Sequence, residues 1–184
     1  MKKKINVKLS TNAIEKAIKK LQEYRNALEE AGEQAVNKLS ELGLEEIQKN
    51  YNDTIYTDGN EDVSFFQTGT QKNRKIGVTG TQVLYNEFGT GTEGEQSPHP
   101  EKKGFGLNPY NSGKTIRKNN KPESSATQNG IPEGGLYWTY TKNGQKHYTQ
   151  GIPAGKQVYN AAKVLQKEKN EITKKVIGDA LSKL

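Results

Sequence analysis

The stretch Leu136-Tyr137-Trp138-Thr139-Tyr140-Thr141-Lys142, then Asn143-Gly144, then Gln145-Lys146-His147-Tyr148-Thr149, decides the fold class. Asn-Gly tolerates the positive φ angles that a type I′ turn requires, and the flanking runs are rich in aromatic and β-branched side chains suited to a pleated surface. A β-hairpin over 136–150 is expected. Alternation along the first strand sends Tyr137 and Thr139 to one face and Trp138 and Tyr140 to the other. Half of this aromatic row is therefore expected to pack on the core or on a partner subunit, with a base-stacking platform as the competing use.

Downstream of the hairpin, Gly151-Ile152-Pro153-Ala154-Gly155 leads into a final helix that carries Val158, Ala161, Ala162, Leu165, Ile172, Val176, Ala180 and Leu181 on one face. Proline near a helix start gives up no needed amide donor. Upstream lies 92–135, crowded with glycines and with Pro98, Pro100, Pro109, Pro122 and Pro132. Its apolar anchors, Phe105, Leu107, Tyr110 and Ile116, are too few to fold alone, so it is expected to be an extended loop that orders against a neighbour. Phe105 and Tyr110, with Trp138 and Tyr140, are the candidate partner contacts.

Further upstream, Val63 to Gln67 and Arg74 to Thr79 are short strand-like runs, and Gln82 to Phe88 suits either a strand or a helical turn. Residues 51–62 are turn-forming and acidic, which ends the preceding helix at about Lys49. That helix is marked by Ala13, Ile14, Ala17, Ile18, Leu21, Tyr24, Leu28 and Ala31, and the period resumes beyond Gly32 through Ala35, Val36, Leu39, Leu42 and Ile47. Two helical pieces or one bent rod are expected, with Gly43 a second weak point. Asn12 followed by Glu15 forms a capping box, with Ser10 and Thr11 as alternative caps. Residues 5–10 alternate and read as a short strand. The architecture is one α+β domain over 1–184: N-terminal amphipathic helices and a long C-terminal helix on a small antiparallel sheet, with a long Gly/Pro-rich loop and a β-hairpin.

Composition narrows the function. Only 30% of the 184 residues are apolar and the mean hydropathy is −0.97, so two large cores are excluded. The absence of cysteine removes disulfides, thiolate nucleophiles and Cys-ligated zinc. The basic start is followed by alternation rather than a continuous apolar run, so neither a signal peptide nor a membrane span is expected, and synthesis is placed in the cytoplasm. Of the 28 basic residues only Arg25, Arg74 and Arg117 are arginines. Arginine is the side chain that reads base edges through paired bonds, so the net charge of +7 argues for a mild field toward polyanions and against sequence-specific reading.

Motifs for chemistry fail on inspection. Ser112-Gly113-Lys114-Thr115 ends like a phosphate loop, but Asn108 stands where the first glycine belongs. His99 and His147 are the two histidines, and neither lies on a helix with the spacing of a zinc pair. Asp53, Asp58, Glu61 and Asp62 cluster around Gly59, but Thr54 and Tyr56 break a calcium-loop pattern. No Gly-x-Ser-x-Gly elbow is present. No enzyme activity, cofactor or metal is expected.

Val83-Leu84-Tyr85-Asn86-Glu87-Phe88-Gly89-Thr90-Gly91, preceded by amphipathic helix and followed by Gly151-Ile152-Pro153-Ala154 and a last helix, resembles the phage tail-component family typified by gene product ten of phage Hong Kong ninety-seven. The likeness covers most of the chain outside 92–135. It implies a structural virion protein of a long-tailed phage or phage-like particle: a neck, tail-completion or head–tail joining subunit, assembled in the host cytoplasm. Such a subunit would form a ring, sixfold in the usual case, between connector and tail-tube proteins, with DNA passing unread through the lumen. The residues matched to the family motif and its subunit contacts are Tyr85, Glu87, Phe88, Gly89, Thr90, Pro153 and Ala154. The resemblance brings no catalytic role. The alternative from the residues themselves is a non-specific nucleic-acid-binding module that uses Lys102, Lys103, Lys114, Arg117, Lys118 and Lys121 beside the hairpin aromatics.

Overall fold

The computed structural model describes residues 10–53, 62–90, 99–101, 117–121 and 125–184. The order is α1 (Thr11–Asn52), β1 (Ser64–Thr70), β2 (Asn73–Thr79), α2 (Val83–Phe88), β3 (Arg117–Lys118), α3 (Ser125–Gln128), β4 (Leu136–Lys142), β5 (Gln145–Thr149), β6 (Gly151–Ile152) and α4 (Gln157–Ser182). The fold is α+β, with a long helix near each end and small antiparallel sheets between them. β1 and β2 form one hairpin, and β3, β4 and β5 form a three-stranded sheet, so the described strands do not join in a single meander.

The chain divides into two compact units. The first comprises Met1–Glu45, Gln67–Ile76 and Lys163–Leu184, and its core is a seam of small and branched side chains between α1 and α4. Ala31, Ala35 and Val176 are buried there, with Ile172, Ile177 and Ala180 packed against them. Alanine on one helix lets the larger side chains of the other approach its backbone closely. Gln67 Nε2 donates to Ser40 Oγ at 3.0 Å and ties the β1–β2 hairpin to α1.

α1 is one continuous helix of 42 residues, not two pieces. It begins one residue before Asn12, and Ser10 is the cap: its hydroxyl accepts from the Ala13 amide at 3.4 Å. It also runs past Lys49 into the turn-forming segment, because Tyr51 is buried and packs edge-on to Phe65 with ring centroids 5.8 Å apart. The two glycines inside α1 differ in kind. A side chain on Gly32 would meet nothing within 4 Å, whereas on Gly43 it would press on Ile76 and Leu165. Gly32→Ala is therefore expected to raise stability by about 0.5–1 kcal/mol, while Gly43→Ala loses that gain to crowding. Urea unfolding of both variants checks the contrast.

The second unit, Glu46–Phe66 with Gly77–Ala162, has a core rich in polar groups. The 82–88 run, open between strand and helical turn in the sequence, is helical as α2. The hairpin 136–149 has its turn at Asn143 (φ 53°) and Gly144 (φ 76°), with Lys142 opposite Gln145 and Trp138 opposite Thr149. Part of the segment expected to be an extended loop is built into the fold. Arg117 and Lys118 pair with Tyr137 and Leu136, and Ala126 and Ile131 are buried. The organiser is Asn119, 1% exposed, whose amide group donates to the carbonyls of Ile131 (2.9 Å) and Pro132 (3.2 Å). Its backbone closes the same turn, donating to Gly135 and accepting from Gly134. A buried polar hub thus does what apolar anchors do elsewhere. The strand read at 5–10 and the phosphate-loop-like 112–115 lie outside the described residues. No described helix is long and apolar enough to cross a membrane.

Candidate functional site

The motif residues other than Tyr85 converge on the start of α4. Helix starts leave amide donors unsatisfied, and the residue just outside ordinarily supplies an acceptor. At α4 that residue is Lys156, which has none, and it sits in the left-handed region at φ 58°. The acceptor comes instead from α2, about seventy residues away. Glu87 Oε2 accepts from the Val158 amide and Oε1 from the Tyr159 amide, both at 2.9 Å. The carboxylate also faces the positive end of a 26-residue helix, which adds favourable electrostatics.

Backbone bonds extend the contact into a clasp. Gly155 N donates to Asn86 O at 2.7 Å, Lys156 N to Glu87 O at 3.2 Å, and Ile152 N to the Thr90 hydroxyl at 3.2 Å. Thr90 and Ile152 form an antiparallel bridge. Gly89 makes the approach possible. At φ 75°, ψ 174° it occupies backbone space reserved for glycine. A β-carbon there would lie 2.6 Å from Ala154 N and 2.7 Å from Ile152 O.

His99 completes the arrangement. It is 4% exposed, its ring 4.5 Å from that of Phe88 and 5.1 Å from that of Tyr159. Its Nδ1 accepts from the Glu101 amide at 3.0 Å, so in the neutral ring the proton sits on Nε2, which faces Glu87 Oε1 at 3.0 Å. The carboxylate thereby receives three donors. Chemically this is a fixing device: it holds α2, the start of α4 and the 99–101 segment together.

Tyr51 belongs to the same unit. Burial, with the nearby Glu87 charge as the smaller cause, pushes its phenol well above the ordinary value, and its hydroxyl has no hydrogen-bond partner among the described residues. Because the folded state resists ionisation, the stability tied to Tyr51 is complete below the ordinary phenol value of about 10 and lost as pH rises beyond it. Tyr51→Phe is expected to flatten the fall in stability between roughly pH 10 and 11, read by denaturant titration at each pH.

Of the residues singled out in the sequence, Glu87, Phe88, Thr90 and Ala154 are buried inside the chain, Gly89 and Pro153 lie within the clasp, and Tyr85 is 38% exposed on α2 beside Leu84 at 52%. Trp138 is half-buried, and Tyr140 is partly exposed and stacked on His147 at 5.1 Å. Phe105, Tyr110, Lys102, Lys103 and Lys114 lie outside the described residues. In the acidic cluster, Asp62 accepts from the backbone and hydroxyl of Thr81, and these bonds, the hydroxyl's first, hold its carboxyl below the usual range. Among the described residues no three histidine, aspartate or glutamate side chains are grouped as a metal ion would need. His99, weighed in the sequence only as a metal ligand, and Asn119, not weighed at all, are the residues that sequence reasoning missed. No family model, curated protein or solved structure was found to match the chain.

Proposed function

We propose that this chain is a structural subunit of the neck of a long-tailed phage or phage-like particle, a tail-completion or head–tail joining piece that forms a ring around the DNA channel. The observation that supports this reading is the clasp. The resemblance rests on the joint presence of Tyr85, of Glu87-Phe88-Gly89-Thr90 and of Gly151-Ile152-Pro153-Ala154 opening the last helix, and Thr90 and Ile152, 62 residues apart, are bonded to one another. Parts that meet in space are expected to occur together in sequence, so their joint presence carries more weight than either alone. The inward-facing motif residues then shape the subunit, and exposed Tyr85 and Leu84 on α2 are available to a neighbouring copy.

Negative-stain images of purified particles labelled at the exposed C-terminus test the proposal. Label at the junction of head and tail is the expected result. Label along the tube, or none on the particle, overturns it.

A second reading has one observation in its favour: Arg117 lies opposite Tyr137, whose ring is 5.7 Å from that of Tyr148, with Lys146 over the Tyr148 ring. Cations beside a pair of neighbouring aromatic rings suit a single-stranded nucleic acid. This reading requires DNA affinity that falls steeply with salt, and a titration with no binding near physiological salt removes it.

A further inference from the structure

We propose that the N-terminal arms of two copies of this chain pair side by side in antiparallel sense through Ile14, Ile18, Leu21 and Leu28. The first observation is where α1 runs relative to α4. In the first unit Gly43 of α1 lies against Leu165 of α4, while Ala31 and Ala35 meet Val176, so residue numbers rise on one helix as they fall on the other. Counting along from Leu165, the last residue of α4, Ser182, comes level with about residue 26 of α1. The helix before that point, residues 11–25, projects beyond its partner.

The second observation is what the projecting helix and the first turn beside α4 carry. Ile14, Ile18, Leu21 and Leu28 are 43%, 51%, 57% and 44% exposed. With Arg25 they are spaced four, three, four and three residues apart, the alternation of a coiled-coil seam. The small residues Ala27 and Ala31 sit on the side toward α4, so the large apolar side chains form a shoulder that α4 does not cover.

Arg25 identifies the occupant and its direction. In a parallel pair, Arg25 would face Arg25 of the second copy inside an apolar seam, like charge against like charge, each with only its own exposed Glu29 beside it. In an antiparallel pair, layers join the two kinds of seam position, which sets Ile18 against Leu21 of the second copy and Ile14 against Arg25. That alignment places the guanidinium next to Glu15 of the second copy. Arg25 is free to move there, because its side chain is 77% exposed and its contact with Glu29 is a 3.5 Å surface pair. The same alignment puts Thr11 opposite Leu28, so the overlap spans residues 11–28, about 27 Å of helix. A contact of this kind is closed at two copies. It describes the free protein and does not depend on the neck assignment.

Because the chain has no cysteine, single thiols can be placed at will. Tagged Thr11→Cys and untagged Leu28→Cys are mixed and oxidised, and each is also oxidised alone. The expected result is a mixed disulfide and little of either homodisulfide. In parallel, sedimentation of the unmodified chain is expected to show a concentration-dependent dimer. Leu21→Glu, at an exposed site, weakens that dimer at least about tenfold, with circular dichroism and melting temperature unchanged at concentrations where the parent is itself monomeric. Glu15→Arg and Arg25→Glu each weaken it, and the double variant recovers affinity relative to either.

Homodisulfides from each variant alone mean parallel pairing and overturn the proposal. A chain that stays monomeric at all concentrations overturns it, as does a monomer destabilised by Leu21→Glu, which would mean that the chain covers its own shoulder. A ring insensitive to Leu21→Glu overturns arm pairing while leaving the neck assignment standing. Arm pairing in a protein that is absent from particles does the reverse.

Discussion

Gly89→Ala is expected to be among the most damaging single substitutions in this protein, lowering stability by about 3–5 kcal/mol. Two costs add. Alanine must be held at φ 75°, ψ 174°, a conformation that L side chains avoid. Its β-carbon must also fit where Ala154 N, Ile152 O and the Pro153 carbonyl carbon lie within 2.9 Å. All three are backbone atoms, so no side-chain rotation relieves the contact. The chain gives way by separating α2 from the segment before α4. Chemical denaturation should show the loss, and hydrogen exchange should show the Val158 and Tyr159 amides losing protection together. A variant within 1 kcal/mol of the parent would mean that the two segments do not meet as described.

Glu87→Ala is expected to cost about 3–4 kcal/mol by stranding three donors, the part-buried Val158 and Tyr159 amides and the buried His99 ring. Glu87→Gln separates charge from shape. The side chain fits, but both carboxylate oxygens are acceptors, so either orientation of the amide points an NH₂ group at a backbone N–H. Most of the loss is therefore expected to persist in the glutamine variant. If glutamine is tolerated within about 1 kcal/mol, the carboxylate is filling space rather than capping the helix. A useful control is His99→Phe, which keeps an aromatic ring between Phe88 and Tyr159 and removes only one of the three donors; its loss should be smaller than that of Glu87→Ala.

Elements set by local periodicity were legible in the sequence. The apolar repeats of α1 and α4 mark both helices, and Asn143-Gly144 marks the hairpin, because these signals depend on near neighbours. The end of α1 was misplaced because Tyr51 gains burial against Phe65, fourteen positions on, and that gain outweighs the turn preference of its surroundings. The 117–135 segment read as open loop for a related reason: Asn119 organises it through carbonyls of residues 131, 132 and 135, and a single asparagine in a polar stretch has no periodic signature. The site was half legible. Glu87 and Gly89 stood out only as parts of a motif, with nothing to say what they touch. One local clue was available: the final helix begins after Lys156, with no serine, threonine, aspartate or asparagine at its cap, and a helix without a cap of its own must borrow one.

That borrowed cap has a consequence for how the protein is made. Val158 and Tyr159 leave the ribosome some seventy residues after Glu87, so for that whole interval the carboxylate waits without its partners. A nascent chain cut short in the interval carries Glu87 but lacks the two helix-start amides that it caps. Only a polypeptide synthesised through residue 159 can close, so the order of translation sets the earliest moment at which the clasp forms.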